Sequence, residues 1–158
     1  STDYLTNCFN RRGILNTANT KLAQQKMTIA IVDLDYFKKI NDEYGHDVGD
    51  LVLIAFAKAA KETLSKGDEF GRYGGEEWLF VLNSSDEKVV RDTFEKVAAT
   101  YQKYCNDIDA LEENLSMTFS VGVSLGDKST RTLDTLIKRA DSMLYEAKEN
   151  GRNQVIIN

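Results

Sequence analysis

A glycine pair between two short apolar segments is the feature that most constrains this fold. Gly74-Gly75 stands between residues 70–73 and 77–82, and a glycine pair supplies the positive φ angles that a tight two-residue hairpin turn requires. A hairpin makes two neighbouring strands run antiparallel, whereas a regular strand–helix alternation gives a parallel sheet. The sequence therefore predicts a sheet that contains antiparallel pairs.

The rest of the chain alternates between helical and extended periodicity. Helices are predicted at residues 10–25, 48–64, 86–104 and 133–148, with Gly151 at the position of a C-terminal cap. Strands are predicted at residues 28–34, 115–125 and 154–157 in addition to the hairpin. The resulting order is α-β-α-β-β-α-β-α-β. It predicts an α/β chain of the α+β sandwich type, with a central mixed, largely antiparallel sheet of about five strands flanked by helices.

Composition excludes several classes of protein. The chain has 158 residues, of which 42% are apolar and 28% charged, so we expect one globular domain over residues 1–158. The net charge of −5 disfavours a nucleic-acid partner, and no apolar run approaches the roughly 18 residues that cross a bilayer, so we expect no membrane contact. Cys8 and Cys105 form neither a disulfide framework nor a metal-ligand spacing, which predicts reduced thiols and a cytoplasmic location.

Two familiar catalytic motifs can be excluded. The single histidine excludes an H-E-x-x-H zinc site. Residues 122–126 match G-x-S-x-G, but they lie in and at the end of a predicted strand, whereas a nucleophile elbow needs a strand-to-helix turn and a histidine partner. We therefore do not expect a serine nucleophile.

Acidic residues follow two of the predicted strands. Asp33 and Asp35 close residues 28–34, and Glu76 and Glu77 follow the glycine pair. If the strand end and the hairpin tip are neighbours in the sheet, Asp33 and Glu76 converge. Two carboxylates and a backbone carbonyl suit Mg²⁺ that works together with substrate phosphates. The same acids could instead be solvated turn residues.

Two further segments carry groups that suit phosphates. Tyr36 and Phe37 follow the acidic strand end at a helix start, where their backbone amides and Lys38 could hold phosphate oxygens. Lys148 and Arg152 are four residues apart at the end of the last predicted helix and could face one phosphate. Their alternative role is favourable positive charge at a helix C-terminus.

An amide and a carboxylate form a candidate guanine reader. Asn41 and Asp50 could pair with guanine, whose N1–H and 2-amino donors are absent from adenine. Asp50 could equally cap the helix at 48–64. His46 is a minor candidate for substrate contact, because a single turn histidine is more often structural.

Five segments in chain order resemble the motifs of the GGDEF domain, the diguanylate cyclase family. They are residues 3–12 (D-Y-L-T and N-R-R), 33–42 (D-L-D-Y-F-K-K-I-N-D), 45–50 (G-H-D-V-G-D), 72–78 (R-Y-G-G-E-E-W) and 140–153 (A-D, Y-E-A-K and G-R-N). Each motif alone is weak, but five in order are specific and span essentially the whole chain. The resemblance implies a fold similar to nucleotidyl cyclase and polymerase palm domains.

The family joins two GTP molecules into cyclic di-GMP and releases pyrophosphate. The resemblance implies that Asp33, the Leu34 carbonyl and Glu76 hold Mg²⁺, with Mn²⁺ as a substitute, and that Glu76, together with Glu77, helps to deprotonate the 3′-hydroxyl. It assigns guanine to Asn41 and Asp50. It assigns the phosphates to the amides of Tyr36 and Phe37 and to Lys38, Lys148 and Arg152. It further implies a catalytic homodimer and an upstream sensory domain, with residues 1–158 as the C-terminal output module of a longer signalling protein.

The sequence departs from the family pattern at two positions. Trp78 replaces the usual phenylalanine, and Ser65 stands where the R-x-x-D product-inhibition site has its arginine, although Asp68 is present. We expect weak or absent product inhibition, unless Lys66 substitutes for the arginine. The alternative function is a catalytically silent GGDEF-type module that binds GTP or a protein partner. A mixed guanine–adenine product is disfavoured by Asp50.

Overall fold

Five helices and five strands occur in residues 1–127 and 132–158, which are the parts of the chain that the computed structural model describes. The helices are α1 (Arg11–Gln24), α2 (Phe37–Tyr44), α3 (His46–Thr63), α4 (Glu87–Asn106) and α5 (Leu133–Glu149). The strands are β1 (Thr28–Leu34), β2 (Glu69–Arg72), β3 (Glu77–Leu82), β4 (Phe119–Ser124) and β5 (Val155–Ile157). None of the helices in these ranges is long and apolar enough to cross a bilayer.

The five strands form one mixed sheet in the order β2-β3-β1-β4-β5. β1 pairs antiparallel with both β3 and β4, β2 pairs antiparallel with β3, and only β4 and β5 are parallel. The predicted fold class, a largely antiparallel mixed sheet flanked by helices, is therefore confirmed. The central position of β1 explains why all seven of its residues are buried.

Each face of the sheet carries its own apolar core. Alternate residues of β1 enter the two cores: Val32 packs with residues of α3 and α4, and Ile31 packs with residues of α1 and α5. Successive side chains of a strand point to opposite faces, so a strand buried on both faces is apolar throughout. The helices thus cover both sides of β1, and its C-terminal end is left for polar residues.

The hairpin is present, but its predicted turn is wrong. β2 and β3 pair up to Arg72 and Trp78, and the loop between the strands has four residues, 73–76, rather than two. Neither Gly74 nor Gly75 has a positive φ. The backbone amides of Tyr73 and Gly74 both donate to the carbonyl of Glu77 (2.8 and 3.1 Å), which closes the wider loop with ordinary φ angles.

The segment between β1 and β2 contains two helices where one was predicted. α2 precedes α3, and Gly45 separates them with φ 90° and ψ 164°, a conformation that stops one helix and starts the next. α2 has only eight residues and buries only Ile40, so the segment is too short for a helical period to be recognised in the sequence. Asp50 lies inside α3, so its alternative role as a helix cap is wrong.

The predicted strand 115–125 is shorter in the structure. Its first paired residue is Phe119, opposite Leu34, because β1 ends there and earlier residues have no strand to pair with. Its small-residue face is covered by α5: a β-carbon at Gly122 would lie 2.0 Å from the Ala140 carbonyl oxygen and 2.1 Å from the Leu144 nitrogen. The small residues thus allow a helix to approach the sheet closely.

Candidate active site

The C-terminal end of β1 and the hairpin loop lie side by side. Asp33 is paired with Glu77 in the β1–β3 register, and the backbone amide of Leu34 donates to the carbonyl of Glu76 (3.2 Å). Both ends open onto a cavity of about 410 Å³. Its lining residues are Asp33, Leu34, Asp35, Tyr36, Phe37, Lys38, Lys39, Asp42, Glu76, Lys148 and Arg152. The structure therefore places the predicted metal and phosphate residues around one cavity.

Asp33 is a buried acid of this cavity. Burial raises the pKa of its carboxyl above the ordinary value, and repulsion from Glu76 and Asp35 adds to this, whereas the ammonium of Lys148 lowers it. Lys148 Nζ donates to Asp33 Oδ2 in an ion pair. Asp33 thus already has a cation at its carboxylate, which is the arrangement expected of a group that binds positive charge.

Asp35 has a different environment from Asp33. Its carboxylate accepts hydrogen bonds from Thr118 Oγ1 (2.7 Å), Ser120 Oγ (2.7 Å) and the backbone amide of Asn153 (3.0 Å). These bonds tie the end of β1 to β4 and to the turn that carries Arg152. Asp35 is therefore a structural carboxylate that positions its neighbours. This role could not be predicted from the sequence, because the two aspartates of the D-x-D pattern look alike there.

The two glutamates after the glycine pair face different cavities. Glu76 lines the cavity of Asp33, whereas Glu77 lines a neighbouring one of about 400 Å³ with Asp141 and Tyr145. Lys148 and Arg152 border both. Burial raises the pKa of the Glu77 carboxyl, and the nearby charge of Asp33 raises it further. The structure therefore places the two glutamates in different surroundings, whereas the sequence could only treat them together.

The start of α2 presents unpaired backbone amides to the first cavity. Tyr36 precedes the helix in a left-handed conformation with φ 59°, and the first amides of a helix have no partner within it. Phe37 and Lys38 supply such amides, and the guanidinium of Arg152 lies 5.3 Å from the centre of the Tyr36 ring. Lys38 is exposed and pairs with Asp42 (2.9 Å), so its ammonium lies at the rim.

The predicted guanine-reading residues lie at the junction of α2 and α3. Asn41 lies one turn along α2 from Phe37, and Asp50 and the exposed His46 lie on α3. None of these three lines the cavity of Asp33. The amide oxygen of Asn41 is buried and has no hydrogen-bond partner in the described part of the chain. An unpaired buried acceptor costs free energy, so hydrogen bonding within the described part of the chain does not explain the position of this atom.

The remnant of the product-inhibition motif lies at the other end of β3. Asp68 Oδ1 accepts from the backbone amide of Asn83 (2.9 Å), and the Lys66 carbonyl accepts from Asn83 Nδ2 (3.4 Å). Asn83 is about 20 Å along the strand from Glu77. Ser65, Lys66 and Asp68 line a small cavity of about 110 Å³ there. The Asp68 carboxylate therefore already has a structural partner.

The donors in the first cavity fit a hard cation that arrives with phosphate. No group of three or more His, Cys, Asp or Glu side chains able to hold a metal occurs in residues 1–127 and 132–158. Four acids line the cavity, but Asp35 is bonded to Thr118, Ser120 and Asn153 and Asp42 is paired with Lys38. The other two carboxylates are Asp33 and Glu76, with the backbone of Leu34 between them. Mg²⁺ is commonly held by one or two carboxylates plus substrate phosphates, so this oxygen donor set fits it without a third acid.

Comparison with proteins of known sequence agrees with this geometry. The family model described as diguanylate cyclase, GGDEF domain, matches residues 1–154. Diguanylate cyclase A of Treponema denticola is 34% identical over 143 residues, which cover 90% of this chain and 38% of that protein. Response regulator PleD of Caulobacter vibrioides is 33% identical over 160 residues, 98% of this chain and 35% of that protein. The chain thus spans little more than a third of these relatives.

Solved structures show the same fold. The GGDEF domain of DgcB from Caulobacter crescentus, in complex with c-di-GMP, matches with a TM-score of 0.89 at 28% identity, over 99% of this chain and 94% of that one. Diguanylate cyclase SiaD from Pseudomonas aeruginosa, in complex with its activator SiaC, matches with a TM-score of 0.87 at 33% identity, over 99% of this chain and 61% of that one. The chain belongs to the GGDEF domain family of diguanylate cyclases.

Proposed function

We propose that this domain condenses two GTP molecules into cyclic di-GMP and releases pyrophosphate. The observation that carries the proposal is the cavity that gathers Asp33 and Glu76 with Lys148, Arg152 and the amino-terminal end of α2. Carboxylates, cations and free amides around one space are what phosphoryl transfer requires, because it depends on positioning and on neutralising charge. Membership of a family whose relatives are named diguanylate cyclases supports the same reaction.

The reaction is an in-line attack of a 3′-oxygen on an α-phosphorus. We propose that Glu76 accepts the proton of the attacking hydroxyl, since it lines the same cavity as Asp33. Lys148 and Arg152 hold the phosphates and offset the charge of the departing pyrophosphate, and the amides of Phe37 and Tyr36 bind phosphate oxygens. Asn41 and Asp50 bind the guanine. Glu77, in the neighbouring cavity, supports the proton transfer through its charge.

Enzymes of this family are generally metal-dependent, and we propose Mg²⁺, with Mn²⁺ as a substitute, for this chain. Asp33, Glu76 and the Leu34 carbonyl would hold it. When bound, Mg²⁺ supplies positive charge at the attacking and leaving oxygens. Binding requires Lys148 to leave Asp33, which frees its ammonium for a phosphate.

We further propose a homodimer and a longer protein. Each chain has one pair of guanine-reading residues, whereas the product contains two guanines related by two-fold symmetry, so two chains must meet face to face. The relatives are nearly three times as long as the match. We therefore propose that this domain is the output module of a larger signalling protein that contains a sensory part and works in the cytoplasm, where GTP is available.

The decisive experiment incubates the domain with GTP and Mg²⁺ at high protein concentration and identifies the product by mass. Two pyrophosphates are expected for each cyclic di-GMP, because each of the two bonds formed displaces one pyrophosphate. Glu76→Gln is the matched variant: it keeps the shape of the side chain, and it should bind GTP but form no product. GTP binding without product in the wild-type chain would instead favour the catalytically silent module.

Product inhibition should be weak. Ser65 offers no guanidinium for the product, and the Asp68 carboxylate is bonded to Asn83. Cyclic di-GMP at micromolar concentration should therefore leave the initial rate nearly unchanged. Strong slowing would contradict this, and its loss in Lys66→Ala would identify the lysine as the substitute.

A further inference from the structure

Gly49 has a backbone conformation that other residues can also adopt. It lies in the first turn of α3, and its φ is outside the left-handed region. A glycine inside a helix is less favourable than an alanine at the same position. Its presence therefore requires a reason other than backbone conformation.

The space beside Gly49 is taken by the side chain of Asn41. A β-carbon at position 49 would lie 1.9 Å from Asn41 Oδ1, 3.0 Å from Asn41 Cγ and 3.3 Å from Phe37 Cζ. Non-bonded heavy atoms do not approach to 1.9 Å, so any side chain at 49 would displace the amide of Asn41. The amide oxygen has no hydrogen-bond partner in the described ranges. Packing against Gly49, and not a hydrogen bond, therefore fixes its position.

We propose that Gly49 is a positioning residue for guanine recognition: it leaves the space that the amide of Asn41 occupies against α3, the helix that carries Asp50. The inference rests on the proposed function, in which these two side chains read the base. Gly49 does not line the cavity of Asp33. An alanine at position 49 should therefore disturb recognition of the base and leave binding of the phosphates unchanged.

The binding test uses Gly49→Ala and the α,β-methylene analogues of GTP and ATP, whose bridge resists cleavage. Calorimetric titration with Mg²⁺ present should show guanine-analogue affinity about tenfold weaker, the value of one lost hydrogen bond that leaves a buried group unpaired. Affinity for the adenine analogue and for inorganic triphosphate should not change. Lys61→Ala, in the last turn of the same helix, should change none of the three affinities.

The coupling test repeats the substitution in an Asn41→Ala background. With the amide removed, Gly49→Ala should weaken guanine binding no further. Its effect on thermal stability should also reverse: it lowers the unfolding midpoint when Asn41 is present and raises it when Asn41 is absent, because alanine then contributes only its higher helix propensity. This second readout stands even where the single variant is too unstable to titrate.

Three results would overturn the inference. They are equal losses for the guanine and adenine analogues, the same loss in both backgrounds, and a double variant that remains as destabilised as Gly49→Ala. A wild-type chain that prefers guanine, with Gly49→Ala unchanged, overturns this inference alone. A wild-type chain with no preference for guanine overturns the proposed function as well.

Discussion

Trp78 combines complete burial with an unpaired polar atom. Its ring packs against Phe56 at 4.8 Å and Phe70 at 6.3 Å between ring centres, and its indole nitrogen has no acceptor within the described ranges. The GGDEF pattern usually has phenylalanine here. Tryptophan therefore fills the core well but leaves one buried N–H group without a partner.

Trp78→Phe should change stability little, although it shrinks the largest fully buried side chain. The smaller ring costs about 1–2 kcal/mol in lost packing, and removal of an unpaired N–H group returns about 1–3 kcal/mol. Urea unfolding followed by circular dichroism measures the difference. Phe80→Leu is the control, because that buried ring has no polar atom and its truncation should cost about 1–2 kcal/mol. Equal losses in the two variants would contradict the argument.

Cys105 should be inert in the folded protein. Burial raises the pKa of its thiol to about 12, so the thiolate fraction at pH 8 is on the order of one in ten thousand. A raised pKa lowers the thiolate fraction at every pH below that pKa. Burial also keeps a reagent away from the sulfur of Cys105. In Cys8→Ser, reaction with a thiol reagent at pH 8 should wait for unfolding. In Cys105→Ser, the half-buried Cys8 should react faster; equal rates would contradict this.

At the scale of single residues, the sequence predicted which residues lie at the cavity better than it predicted which side chains bond to one another. Asp33 and Glu76 face one cavity because strand alternation and the hairpin fix where those residues lie. The ion pair of Lys148 with Asp33 and the three hydrogen bonds of Asp35 join residues more than 80 positions apart. Nothing local in the chain specifies such pairs, so only the fold reveals them.

At the scale of elements, α5 packs directly against the backbone of β4 at Gly122. Gly122→Ala should destabilise the fold by about 3 kcal/mol, the upper end for an overpacked core, because both groups it meets are backbone. Thermal or urea unfolding measures this loss. Gly75→Ala is the matched control for stability, since a β-carbon there meets nothing within 4 Å. Equal effects would show that α5 shifts readily.

Element prediction failed where tertiary packing, and not periodicity, decides the structure. α2 has only eight residues and buries one of them, Ile40, which is shorter than the window of about 11 residues over which a helical period is recognised. The loop that contains Gly74 and Gly75 is wider than a two-residue turn, because the amides of Tyr73 and Gly74 donate to the Glu77 carbonyl. Turn propensities do not predict these hydrogen bonds. By contrast, the four predicted helices and β1 were confirmed: each of those helices has at least 14 residues, and β1 is a largely apolar, β-branched run.

At the scale of the whole molecule, the proposed reaction requires two chains. The rate per chain should therefore rise with protein concentration and then level off, while each chain binds one GTP at every concentration. Initial rates over a dilution series measure this, with calorimetric stoichiometry as the control. A specific activity that stays constant on dilution to well below the association midpoint would contradict the dimer.

The strand order β2-β3-β1-β4-β5 was beyond sequence analysis, because it depends on pairings between distant segments. Its consequence concerns local opening. Asp33 and Leu34 are held in a strand that is bonded on both sides, whereas α2 is short and ends at Gly45. Amide hydrogens of β1 should exchange with solvent only on global unfolding, and those of α2 through smaller fluctuations. Guanine nucleotides would then slow exchange mainly in α2, so the half of the site that recognises the base is ordered by its ligand while the half that holds charge is ordered beforehand.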